Sequence, residues 1–227
     1  MLFVIAGIAL LLLICGPHLW VKHILKKHHR HLPNMPGTGG EFAAHLLKQY
    51  DLDNVVLEMS TEDDDHYSPT ENAVRLSPEV FEGKSLSAIA VAAHEVGHAI
   101  QFNRKETVSL LRTKYMGSAN RLQKIGISIL MVMPLVGGIV KLPLISFITL
   151  VFGVLTMLLS VLLHLAVLPE EWDASFNKAL PILDQGHYVP KEYIPAIRQV
   201  LKACAFTYVA AALMNILRMW RWFRLIR

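Results

Sequence analysis

The strongest constraint on this chain is that its apolar residues come in blocks. Met1 to Val21 holds no Asp, Glu, Lys or Arg and is almost wholly aliphatic. Ile125 to Val140 and Leu142 to Leu168 form two further blocks, separated by Lys141 alone. Crossing the roughly 30 Å of bilayer hydrocarbon takes about 20 apolar residues, so each block is long enough to span, or nearly so. A fourth block, Ala203 to Leu217, is shorter. With 53% hydrophobic residues the chain is more apolar than an ordinary soluble domain. A multi-pass membrane protein with three or four transmembrane helices is expected.

The first block reads as a retained anchor. No Lys or Arg precedes it, no small-x-small cleavage site closes it, and Ile14 stands before Cys15 where a lipoprotein signal needs a small residue. Lys22, Lys26, Lys27 and Arg30 follow this block, and Arg112, Lys114, Arg121 and Lys124 lead into the second. The positive-inside rule then places the polar segment between them in the cytoplasm. A hairpin around Leu142-Pro143 returns the chain to the same side at Pro169. The expected organisation is an anchor (1–21), a cytoplasmic polar segment (22–121), two membrane helices (122–141 and 142–168), a second cytoplasmic segment (169–202), and a fourth apolar helix with a basic aromatic tail (203–227).

That tail, Arg218 to Arg227, places Arg every third residue and suits a membrane interface. If residues 203–217 cross, the tail lies outside, against the charge rule. Crossing and dipping both remain open. His28-His29-Arg30-His31 reads as a basic collar facing headgroups. The net charge of +4 reads as a topology signal, and no nucleic-acid partner is expected. The two cysteines both lie in apolar blocks and form no Cys-x-x-Cys, which excludes a zinc ribbon.

The chemistry is concentrated in His94-Glu95-Val96-Gly97-His98. The spacing predicts a helix from Ser85 to Gln101, Ala-rich and free of Pro. Four residues are about one helical turn, so both imidazoles project from one face and can hold a zinc ion. Glu95 is placed to take a proton from water that the ion activates. Such a set hydrolyses amide bonds.

A catalytic zinc wants a third protein ligand. The pattern H-E-x-x-H-x-x-G-x-x-H is excluded, because Gln101 and Arg104 occupy its Gly and His positions. A carboxylate from a later helix is the other solution. Glu170 and Glu171 emerge just past the third block, and Pro169 suits the first turn of a new helix. The residues alone leave both acids open. His164, His66 and His187 are weaker candidates, better explained by helix packing or by turns. The acidic, turn-prone stretch Glu62 to Pro69 reads as a solvated hairpin loop.

Asn54 to Met59 and Ala73 to Leu76 read as two short strands before the zinc helix. Val74, Arg75 and Leu76 are the candidate substrate-binding residues, as an edge strand that takes the peptide backbone by strand addition. Tyr188, His187 and Tyr193 are candidates to stabilise an oxyanion.

At these residues the chain resembles the YugP-like family of membrane-bound neutral zinc metallopeptidases. The matching stretches are Asp65-His66-Tyr67-Ser68-Pro69, Val74-Arg75-Leu76-Ser77, Ala90 through His94-Glu95-Val96-Gly97-His98 to Gln101, and Leu168 to Ser175. The family pattern L-P-V-E-F-D-A-S puts its Glu on Glu171, with Glu170 where Val is usual. Ser68 replaces a usual Asp. The family is similar to the broader HtpX and CAAX-protease group, whose E-x-x-x-D motif finds Ser175 at its Asp. The carboxylate that would orient a ligand His is thus missing there, and Asp173 is the substitute to consider.

The resemblance implies a mainly α membrane protein with a zincin-like α+β catalytic domain and a small β-hairpin. It also implies one zinc ion held in gluzincin fashion by His94, His98 and Glu171. The expected activity is a zinc metalloendopeptidase at the cytoplasmic face of the cell membrane, acting on peptides or membrane proteins, with the lipid bilayer as its other partner. Two alternatives stand beside it. One is an intramembrane protease using a distant Asp, which Leu183-Asp184-Gln185-Gly186 faintly suggests. The other is a scaffold with structural zinc, against which Glu95 argues. Oligomeric state is not legible.

Overall fold

The computed structural model describes residues 2–62, 64–140 and 143–223. Its elements run α1 (Leu2–Lys27), α2 (Gly39–Gln49), β1 (Val56–Met59), β2 (His66–Ser68), β3 (Ala73–Leu76), α3 (Pro78–Phe81), α4 (Leu86–Asn103), α5 (Leu110–Val140), α6 (Pro143–Leu165), α7 (Leu168–Trp172), α8 (Leu180–Gln185) and α9 (Ile194–Phe223). Short 3-10 turns precede α5 and α9, and a π-helix, Asp173–Ala179, joins α7 to α8. The chain is therefore mostly helical, with one small sheet. Leu142 at the expected hairpin turn, Asp63 in the acidic loop, and Arg224 and Arg227 of the tail lie outside the described residues.

The chain divides into two compact units. One comprises Leu19–Leu110 and Pro169–Thr207. Its axis is α4, in which every residue from Leu86 to Gln101 is buried. Ser85 starts the helix, its hydroxyl accepting from the Ala88 amide at 3.1 Å. A capping box starts α2: Thr38 and Glu41 bond each other's backbone amides at 3.2 and 2.8 Å. α2 lays Phe42, Leu46 and Leu47 into the core, and α9 contributes Ile197, Val200 and Leu201.

The sheet corrects two expectations. Its order is β1-β3-β2, with β1 parallel to β3 and β2 antiparallel to it. The strands at Asn54–Met59 and Ala73–Leu76 therefore do not form a hairpin with each other. β3 pairs instead with His66–Ser68, which lies where a solvated loop was expected. Tyr67 explains why this polar segment is a strand. It is buried and packs on Phe102 of α4 with ring centroids 5.8 Å apart, while its hydroxyl donates to Asn72 at 2.7 Å. Burial pushes that hydroxyl up to about 12, so it stays a donor. Asp65 accepts from the Ser77 amide and hydroxyl at 2.8 and 2.9 Å. Two of the stretches that carried the resemblance thus form one structural piece.

The second correction concerns Val74, Arg75 and Leu76. β3 is the central strand, so its backbone is paired on both sides and offers no open edge. Val74 and Leu76 are fully buried core residues, and Arg75 is held by Glu58 and Glu71.

The other unit comprises Met1–His18, Leu111–Leu168 and Tyr208–Arg227. Within it α5 and α6 run antiparallel: the Ser160 hydroxyl donates to the Ala119 carbonyl at 2.8 Å, Gly126 abuts Met157, and Gly153 abuts Leu130. Small residues that let helices approach are typical of membrane bundles. His164 donates to its own helix at the Ser160 carbonyl, 2.8 Å away, so it is a packing residue. α6 leaves Leu144, Phe147 and Phe152 more than 60% exposed.

Among the described residues, two stretches are long and apolar enough to cross a membrane, Leu144–Gln185 and Lys191–Met214. That is fewer than the three or four spans expected. The first and second blocks fall within α1 and α5, where the side chains of residues 1–4, 6–10 and 133–140 lie outside the description. Pro195 sits in the first turn of α9, where its missing amide costs nothing, and the helix continues to Phe223.

Candidate metal centre

His94, Glu95 and His98 occupy the middle of α4 and are all buried. The two rings stack edge to face with centroids 4.7 Å apart. Against them stands Glu171 of α7, only 1% exposed. Its Oε2 lies 3.4 Å from His94 Nε2 and 3.3 Å from His98 Nε2. Zinc bonds of about 2.0–2.1 Å in a tetrahedral shell put donor atoms about 3.3–3.4 Å apart, so these separations fit such an ion. Among the described residues, His94, His98 and Glu171 form the group able to hold a metal. Of the two neighbouring acids, geometry selects Glu171. Glu170, also buried, turns its backbone carbonyl toward α4.

Gly97 lets these elements meet. A Cβ there would stand 2.8 Å from the Ala174 carbonyl oxygen, closer than real Cβ contacts come. The missing side chain thus lets the π-helix that follows Glu171 lie directly on the helix that carries the histidines. π-helical segments recur at functional sites because they re-aim side chains within a helix.

Two devices fix the histidine rings. The Ser175 hydroxyl lies 3.0 Å from His94 Nδ1 and donates its single proton to the Leu201 carbonyl at 3.0 Å. It must therefore accept from His94 Nδ1–H, which leaves Nε2 with its lone pair toward Glu171. His98 Nδ1 lies 2.9 Å from Gln101 Oε1, which only accepts, so His98 is fixed in the same tautomer. Both nitrogens that face Glu171 are thus acceptors, as a metal requires.

Sequence reasoning treated Ser175 as a missing carboxylate; its hydroxyl does the orienting. It saw Gln101 only as a departure from a three-histidine pattern. The available signal was position: three residues after His98 on a helix places Gln101 beside that ring.

The remaining candidates lie elsewhere. His66 pairs with Asp64 at 3.1 Å, and His187 sits in an exposed turn with φ of 54°. The Tyr188 hydroxyl donates to Gln49 at 2.5 Å and meets His45 Nε2 at 2.8 Å, which commits it to α2. Asp184 is half-buried in α8 and is not a member of the ligand group.

Comparison with known proteins places the chain in a class. A family model described as "Putative neutral zinc metallopeptidase" matches residues 2–227. The chain belongs to that family of zinc metallopeptidases. A curated relative from Bacillus subtilis (strain 168), "Putative membrane protease YugP", is 33% identical over 222 residues, covering 97% of this chain and 95% of its own length. No solved structure matches the chain significantly.

Proposed function

We propose that this chain is a membrane-embedded zinc metalloendopeptidase with a zincin-like catalytic unit, binding one zinc ion through His94, His98 and Glu171. The observation that carries the reading is the buried convergence of two oriented imidazole nitrogens and one carboxylate oxygen, at 3.3 and 3.4 Å. When bound, zinc supplies Lewis-acid polarisation of water and of the scissile carbonyl. Glu95 is the general base. Its Oε1 lies 4.0 Å from His94 Nε2, on the rim of the ligand set. Its carboxylate takes the proton released as water adds to the carbonyl, then delivers it to the departing amine. Ser175 and Gln101 hold the rings still while this occurs.

The topology proposed is multi-pass. Three or four helices cross the cell membrane, and residues 22–121 and 169–202 face the cytoplasm. The basic residues that follow the first block and lead into the second support this orientation. Peptides or membrane proteins near the cytoplasmic surface are the proposed substrates. The test is hydrolysis of a quenched-fluorescence peptide mixture by full-length protein in detergent. Turnover should stop with a zinc chelator, return with zinc, and vanish in Glu95→Gln. A Cys placed at Asp64 in a Cys-free background should react with an impermeant maleimide only after the cells are opened. Labelling of intact cells would reverse the proposed orientation.

A further inference from the structure

Gln101 touches no reacting atom, yet its one amide meets both chain segments that carry the candidate ligands. Its oxygen accepts from His98 Nδ1 at 2.9 Å. Its nitrogen donates to the Glu170 carbonyl at 3.0 Å and to Asp173 Oδ2 at 2.7 Å. Those two acceptors flank Glu171 in the sequence. The side chain is fully buried, so water cannot stand in for it. The amide orientation is forced, because an amide nitrogen only donates and an amide oxygen only accepts.

The contacts close into a ring. Asp173 also accepts from Asn177 at 2.6 Å and pairs with Lys178 at 3.2 Å. Lys178 bridges to Glu106 at 2.9 Å, and the Glu106 amide donates to the Gln101 carbonyl at 3.0 Å. The path from the Gln101 side chain through Asp173, Lys178 and Glu106 thus ends on the Gln101 backbone. His94 is held separately, through Ser175 and the Leu201 carbonyl.

We propose that Gln101 is a positioning residue that locks His98 to the segment bearing Glu171, so that metal affinity depends on this amide. The proposal rests on the zinc reading above. Gln101 fixes the distance between two ligands that come from different helices, whereas Ser175 orients one ligand alone. Partners that orient metal ligands typically change affinity about 10–100-fold when removed.

The test uses full-length protein in detergent, stripped of metal and titrated with zinc against a chromophoric chelator. Cobalt substitution reports ligand geometry by its visible absorption, and circular dichroism reports the fold. Gln101→Met should weaken zinc about 10–100-fold and change the cobalt spectrum while helicity is kept. Asp173→Ala should weaken zinc less, and the double variant should bind no worse than Gln101→Met. Ser175→Ala combined with Gln101→Met should instead show additive losses. Wild-type affinity and an unchanged cobalt spectrum in Gln101→Met would overturn the proposal, as would additive losses in the Gln101–Asp173 pair. If Gln101→Met fails to fold, Asp173→Ala decides alone, and unchanged zinc affinity there overturns the proposal. A failed zinc reading looks different, because Glu171→Ala would then bind zinc like the wild type.

Discussion

α4 and α6 are both apolar helices, yet they solve opposite problems. α4 has 18 residues, is built of small side chains, and buries His94, Glu95, His98 and Gln101 along its length. α6 has 23 residues, few polar groups, and turns large side chains such as Phe147 and Phe152 outward. Burying polar groups is costly unless each is bonded, and α4 meets that condition at His94, His98 and Gln101 with Ser175, Asp173 and each other. α6 needs an apolar surrounding instead. Apolar composition alone does not separate an interior helix from a membrane helix. The identity of the few polar residues and the size of the apolar ones do.

Changes in each helix should separate the two roles. The largest effect is expected in α4: Glu95→Gln should lower peptide hydrolysis roughly 100- to 10,000-fold while zinc stays bound, read from initial rates and metal content. Equal rates in variant and wild type would remove Glu95 from the chemistry. In α6, Phe152→Lys should disfavour membrane insertion by about 3 kcal/mol, seen as a shift of protein from the membrane fraction. An unchanged distribution would mean that this face does not meet lipid. Gly97→Ala should destabilise the unit that carries the candidate metal centre by about 1–3 kcal/mol, because its Cβ meets the Ala174 carbonyl, and should lower the thermal midpoint. Lys178→Met should cost about 1 kcal/mol or less, since its ion pairs are partly solvated. A large loss of stability there would mean that the ring around Gln101 bears more load than its exposure suggests.

The sequence reveals most where one residue type has one use. The H-E-x-x-H spacing locates α4 and its ligand face, and Ser85 marks where that helix begins. It reveals less where pairing is long-range. The parallel register of β1 with β3 depends on contacts across the chain. β2 was hidden because His66 and Ser68 are polar and Tyr67 alone supplies the buried side chain. The choice between Glu170 and Glu171 was not in local chemistry, since both are buried acids in one turn. The family pattern pointed to Glu171, and the distances of that residue to His94 and His98 separate it from Glu170. The orienting role of Ser175 was hidden for the same reason, because His94 lies on another element; Gln101 shares a helix with His98, but its other partners, Glu170 and Asp173, do not.

The central claim is that one divalent ion joins the middle of α4 to the acid of α7. Metal analysis of purified wild-type, Glu171→Ala and Glu170→Ala proteins tests it most directly. The account predicts one zinc per chain in the wild type, near-complete loss in Glu171→Ala, and retention in Glu170→Ala. A full zinc complement in Glu171→Ala, or a wild type that never holds zinc, would contradict it.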